Sequence, residues 1–136
     1  VVDELLENPD INVGILVCPY FKKNSPSDIK VVLNNNNDVL YSSRSDIPSD
    51  SRTKNPSMLK AYHIVPFRKP FLLKFTKWEK GILEKIEFNE YLRILEYGER
   101  FRAIRVDSDA ISVDTIDDLE YVREQMQSDL WFPQYK

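Results

Sequence analysis

The sequence predicts an α/β fold in which a mixed sheet is covered by helices. Three observations carry that expectation. Val13 to Val17 is a short continuous apolar run of the kind buried on both faces of a sheet. Helical spacing of apolar residues recurs well away from it, most clearly between Leu83 and Tyr97. The two patterns alternate along the chain, which places helices against strands in one core. At 136 residues and 42 % hydrophobic content, the chain can bury one core and forms one domain or part of one.

Val1-Val-Asp-Glu-Leu-Leu-Glu7 opens on a helical stripe of Val1, Val2, Leu5 and Leu6, with no initiator Met, and predicts a helix already under way in a longer parent. Asn8-Pro-Asp10 reads as a turn before the Val13–Val17 strand. Ile29 to Leu33 and Val39 to Tyr41 flank Asn34-Asn-Asn-Asn-Asp38; Asn and Asp tolerate the left-handed backbone of tight reversals, so the spacing predicts a β-hairpin. Ser42 to Met58, rich in Ser, Asp and Pro, predicts an exposed loop able to move. Ala61 to Phe67 has strand composition, and Pro70 suits the first turn of a short helix carrying Phe71, Leu72 and Phe75.

One continuous helix is predicted from Leu83 to Tyr97, stopped by Gly98. Phe101 to Val106 is β-prone, and Thr115 with Asp118 three residues on predicts a capped helix through about Met126. Phe71, Phe75, Trp78 and Phe101 are expected to pack as core or interface. The aromatic tail from Leu130 to Tyr135 is expected either to dock or to stay loose.

With 19 basic against 22 acidic residues, the composition disfavours binding to nucleic acid or an anionic membrane. Cys18, the single cysteine, sits in the apolar run and predicts a buried thiol in a reducing compartment. No apolar stretch approaches the ~20 residues of a spanning helix and no basic-then-apolar leader stands at the start of the sequence, so the expectation is a soluble cytoplasmic protein.

The glycines Gly14, Gly81 and Gly98 are too scattered to form a phosphate loop, and one histidine cannot assemble a triad or a zinc set. What remains is carboxylate and guanidinium chemistry. Asp114 lies between the last strand and the capped helix, where an open α/β sheet places its ligand crevice. A carboxylate there suits Mg²⁺, which takes few protein oxygens and completes its shell with water and phosphate. Taken alone, an Asp in that place serves more often as a cap or a helix-dipole partner.

Ile29-Lys-Val-Val-Leu33, Val39-Leu-Tyr-Ser-Ser-Arg-Ser-Asp-Ile-Pro48, Leu83-Glu-Lys-Ile-Glu87 with Leu92-Arg93, Tyr97-Gly-Glu99, and Val113-Asp-Thr-Ile-Asp-Asp-Leu-Glu-Tyr-Val-Arg123 form a series of blocks. In order and spacing the series resembles the 3-deoxy-manno-octulosonate cytidylyltransferases, over nearly the whole chain up to Met126. The resemblance implies the C-terminal part of a single nucleotide-diphospho-sugar transferase-like domain whose N-terminal nucleotide-binding part lies elsewhere. It implies transfer of CMP from CTP to an acidic sugar with release of pyrophosphate, for lipopolysaccharide or surface polysaccharide synthesis, with Mg²⁺ held by two aspartates. Asp114 matches one of them, and the segment alone is expected to be inactive. Arg44 matches an arginine at the sugar pocket, where a guanidinium pairs with a carboxylate through parallel hydrogen bonds. Glu90 matches an acceptor for a sugar hydroxyl; read without the resemblance, it is a helix carboxylate paired with Arg93 or Arg123. Family members are homodimers, and residues 20–60 correspond to the hairpin and loop at the subunit contact and the sugar side.

The chain departs from the family pattern at several pocket positions. Ala61 stands where the family has histidine, Val65 and Phe67 where it has tyrosines, Tyr91 where it has glutamine and Ser112 where it has glycine. His63 lies two residues from the lost histidine, on the same face of an extended chain, so it reads equally as a candidate substitute in the sugar pocket and as a packed or exposed bystander. These departures imply a different sugar acid or a non-catalytic homologue that keeps the fold and the dimer surface.

Overall fold

A computed structural model of the chain describes residues 1–54, 56–107, 113, 115–130 and 132–135. Its elements run α1 (Val2–Glu7), β1 (Gly14–Tyr20), β2 (Lys30–Leu33), β3 (Val39–Ser43), β4 (Met58–Ala61), α2 (Lys69–Phe75), α3 (Ile82–Glu87), α4 (Tyr91–Glu96), β5 (Arg102–Arg105) and α5 (Ile116–Met126), with a 3₁₀ turn at Phe132–Tyr135. The strands form one sheet in the order β3-β2-β4-β1-β5. Only β1 and β5 run parallel; the remaining pairs are antiparallel, so the sheet is mixed as expected. β1 lies inside it, with Ile15 and Val17 at 0 % exposure and Cys18 at 1 %.

The β2–β3 hairpin turns where the asparagines stand. Asn34 Oδ1 accepts from the backbone N–H groups of Asn36 and Asp38, each at 2.9 Å, and Asn37 takes the left-handed conformation at φ 60°. The tip is then tied across to β5. Asp38 accepts from Arg102 Nε at 2.9 Å and Arg100 Nε at 3.2 Å, and Arg102 reaches on to Glu4 of α1 at 2.8 Å. Burial would push the Asp38 carboxyl up, but the two arginines outweigh it and hold the group below its ordinary range.

Four expectations need correction. The stripe of α1 buries Leu5 alone, while Val2 and Leu6 are exposed. The loop predicted from Ser42 to Met58 is shorter, because Ser42 and Ser43 are buried at the end of β3 and Met58 is buried at the start of β4. Its entry is also fixed. The fully buried Lys30 donates to the carbonyls of Ser25, Asp28 and Arg44 and lies 3.6 Å from Asp46, while Asp46 Oδ2 accepts from Asn24 N at 2.9 Å. The strand expected from Ala61 to Phe67 instead ends at Ala61; beyond it Tyr62 N still donates to Leu16 O at 2.8 Å, Gly14 N donates to Pro66 O at 3.1 Å, and Phe67 bridges to Val13 just before β1. Pro66 has no N–H to give the ladder. Finally, the helix expected from Leu83 to Tyr97 is two helices broken at Phe88.

The helical layer packs through aromatic residues. Phe67 lies against Phe71 and Phe75, Trp78 meets both phenylalanines edge-on, and Trp78 stacks on Tyr97 with centroids 4.3 Å apart. Gly98 ends α4 at φ 73°, a conformation that glycine adopts without a steric cost. Among the described residues, no helix is long and apolar enough to cross a membrane.

Candidate functional site

The break between α3 and α4 organises the site. Phe88 ends α3 in the left-handed region at φ 48°, Asn89 is 1 % exposed, and Glu90 is the exposed N-cap position of α4 without a side-chain capping bond. Left-handed backbone is costly for a residue with a large side chain and persists only where surrounding contacts enforce it. Three sets of such contacts are present, two from the end of β3 and one from the segment after β4.

The first set comes from the end of β3. The Glu87 carboxylate accepts from Ser43 Oγ at 2.7 Å, from the Arg44 backbone N–H at 2.9 Å and from the Tyr41 hydroxyl at 3.3 Å. Burial would raise the Glu87 carboxyl, yet these donors together lower it below the usual carboxylate range. The Arg44 guanidinium donates to the carbonyls of Glu87 at 2.8 Å, Phe88 at 3.1 Å and Pro26 at 2.8 Å. It thereby satisfies carbonyls that the end of α3 leaves open. Three of its five N–H donors serve the fold, and the other two make no hydrogen bond among the described residues.

The second set is buried. Asn89 Nδ2 donates to Ser42 Oγ at 2.8 Å, and Asn89 Oδ1 accepts from Tyr91 N at 3.2 Å, which starts α4. The third joins the junction to the segment after β4. His63 Nδ1 lies 3.0 Å from the Tyr91 hydroxyl, with the rings stacked at 6.1 Å and 29°. Burial, and to a lesser degree the charge of Glu90, push the Tyr91 hydroxyl up to about 12.

The structure therefore brings Arg44, Glu90 and His63 to one short segment, Phe88 to Tyr91. Asp114 and Ser112 lie outside the described residues. Glu90 does not pair with Arg93, which instead makes a two-pronged ion pair with Glu84, both contacts at 2.5 Å. That partner lowers the Glu84 carboxyl. A cleft of about 620 Å³ opens over the junction, with Lys80, Lys85, Glu90 and Arg93 among its lining residues. Lysine donors and a carboxylate acceptor in one cleft suit a ligand bearing both hydroxyl and carboxylate groups. Among the described residues, no group of three or more His, Cys, Asp or Glu side chains forms a metal-ligand set.

The tertiary structure supplies physical reasons for the departures from the family pattern. Ala61 is buried in the core, Val65 packs against that core, and Phe67 joins the Phe71–Phe75 cluster. Tyr91, one of the replacements, is in contact with His63. Sequence reasoning missed Glu87, Asn89, Ser42 and Ser43. A signal existed in Phe88-Asn89, where a poor helix former carrying a turn-prone amide interrupts the apolar period.

The cytidylyltransferase family profile matches residues 1–101. A 3-deoxy-manno-octulosonate cytidylyltransferase of Syntrophus aciditrophicus is 34 % identical over 124 residues, covering 88 % of this chain and 50 % of the relative. The enzyme of the same name from Photobacterium profundum is 35 % identical over 133 residues, covering 90 % and 54 %. A solved structure of CMP:2-keto-3-deoxy-manno-octonic acid synthetase complexed with CTP superposes with a TM-score of 0.86 at 30 % identity, covering 95 % of this chain and 54 % of that one. The chain thus spans about half the length of these relatives. With the same mixed sheet and a profile match across three quarters of its length, the chain belongs to the cytidylyltransferase family.

Proposed function

We propose that this chain is the sugar-recognising portion of an enzyme that transfers CMP from CTP to a 3-deoxy-manno-octulosonate-like sugar acid, for surface polysaccharide synthesis. The observation that carries the reading is the convergence of Arg44, Glu90 and His63 on the α3–α4 junction, in a chain whose relatives bear that enzyme's name. In the reaction, the anomeric hydroxyl oxygen bonds to the α-phosphorus of CTP. The bond to the β-phosphate oxygen breaks, pyrophosphate leaves and the hydroxyl proton is released. The task of this chain is orientation. Glu90 accepts from a sugar hydroxyl, and the free donors of Arg44 face the sugar carboxylate, which fixes the attacking oxygen.

Mg²⁺, held by Asp114 and a carboxylate from another part of the enzyme, would neutralise charge on the phosphates. The roles of Arg44, Glu90 and His63 do not depend on it. A homodimer built through residues 20–60 belongs to the same proposal. The apolar packing of Ala61, Val65 and Phe67 favours, as a second reading, a sugar acid with fewer polar contacts than octulosonate.

Glu90→Gln in the enzyme that carries this chain tests the assignment. The KM for the sugar acid should rise about tenfold, since a charged acceptor contributes about 1.5 kcal/mol or more, while the KM for CTP stays put. An unchanged sugar KM would remove Glu90 from the site.

A further inference from the structure

His63 follows the end of β4, in a stretch without strand pairing, and is exposed. The described contacts of the ring are those with Tyr91. Tyr91 is well anchored. It is 6 % exposed, its N–H is held by Asn89, and its ring packs on Phe101 with centroids 5.7 Å apart. Its phenol stays protonated, since burial pushes it up to about 12. A buried hydroxyl proton needs an acceptor, and among the described residues His63 Nδ1 at 3.0 Å is the available one. Were Nδ1 to carry the proton instead, the phenol proton would be left unsatisfied. His63 Nε2 has no partner among the described residues.

We propose that Tyr91 is a positioning residue that holds His63 as its Nε2–H tautomer, so that Nε2–H is offered as a hydrogen-bond donor to an oxygen of the bound sugar acid. This rests on the sugar-site reading above and adds to it a second donor besides Arg44, held next to Glu90 in sequence through Tyr91. The pair then selects for an acceptor oxygen, carboxylate or hydroxyl, at the point that His63 faces.

The test is Tyr91→Phe, which keeps the ring and removes only the hydroxyl. Nitrogen-15 NMR of the imidazole is run at alkaline pH, where histidine side chains are neutral. His63 is the only histidine of this chain, and in the whole enzyme its signals are assigned by their loss in His63→Ala. The native protein should show one Nε2–H tautomer with a hydrogen-bonded Nδ1, and Tyr91→Phe a mixture. In steady-state kinetics, Tyr91→Phe should raise the KM for the sugar acid about five- to tenfold, with kcat changed less than about twofold. A native imidazole protonated on Nδ1 overturns the proposal, as does a Tyr91→Phe variant with an unchanged sugar KM. If Glu90→Gln still raises that KM, only the positioning role has failed; if neither variant moves it, the sugar-site reading fails as well.

Discussion

In α5 the start of the helix is written into four consecutive residues, whereas in the α3–α4 pair the decisive contacts come from residues 28 to 47 positions away. Thr115 Oγ1 accepts from Asp118 N at 3.1 Å and Asp118 Oδ2 accepts from Thr115 N at 2.9 Å, a reciprocal cap that needs nothing else. Yet α5 buries no residue. The α3–α4 pair carries a stronger apolar period, with Leu92 and Ile94 at 0 % exposure, and is nevertheless broken in the middle. Local signals decide whether a helix can start; burial and long-range polar contacts decide where it must bend and what it can hold.

That contrast predicts a graded set of outcomes. The largest concerns the Glu84–Arg93 pair, whose side chains are only 6 % and 12 % exposed. Arg93→Ala leaves a buried carboxylate without its partner and should cost about 3 kcal/mol in urea unfolding. A loss under about 1 kcal/mol would make the pair no better than a surface bridge.

The next effect depends on pH. Glu87 has a folded pKa below its unfolded value, so its contribution is present above the unfolded glutamate pKa of about 4.3 and is lost as pH falls through the lowered folded value. Glu87→Gln should therefore lower stability near neutrality and flatten the loss on acidification below about pH 4.3. Parallel stability curves for the variant and the native protein would show that the β3 clamp contributes nothing through its charge.

The smallest effect belongs to α5. Thr115→Ala should cost its helix about 1 kcal/mol, seen as faster amide exchange over residues 116–120 with the main unfolding transition unmoved. A shift of the whole transition would mean that α5 is coupled to the core more tightly than its exposure indicates.

The site was less legible in the sequence than the fold, and the reason is visible residue by residue. Arg44, Glu90 and His63 were recognisable only through family resemblance, because none carries a local signature of its role. The partner of His63 lies 28 positions away and that of Asn89 lies 47 away. No window of spacing or composition reaches so far. Asn89 did announce a disturbance in the helical pattern, but not that Ser42 would meet it.

By itself the sequence determined the buried strand at Val13 to Val17, the asparagine turn, the helix entered at Pro70, the stop at Gly98 and the cap at Thr115, each governed by forces acting within about one helical turn or one reversal. Tertiary structure alone decided the left-handed break at Phe88, the early end of β4 and the spending of the Arg44 guanidinium on carbonyls. These follow from the need to satisfy buried polar groups, and which groups become buried together is settled only when the sheet and the helices have packed.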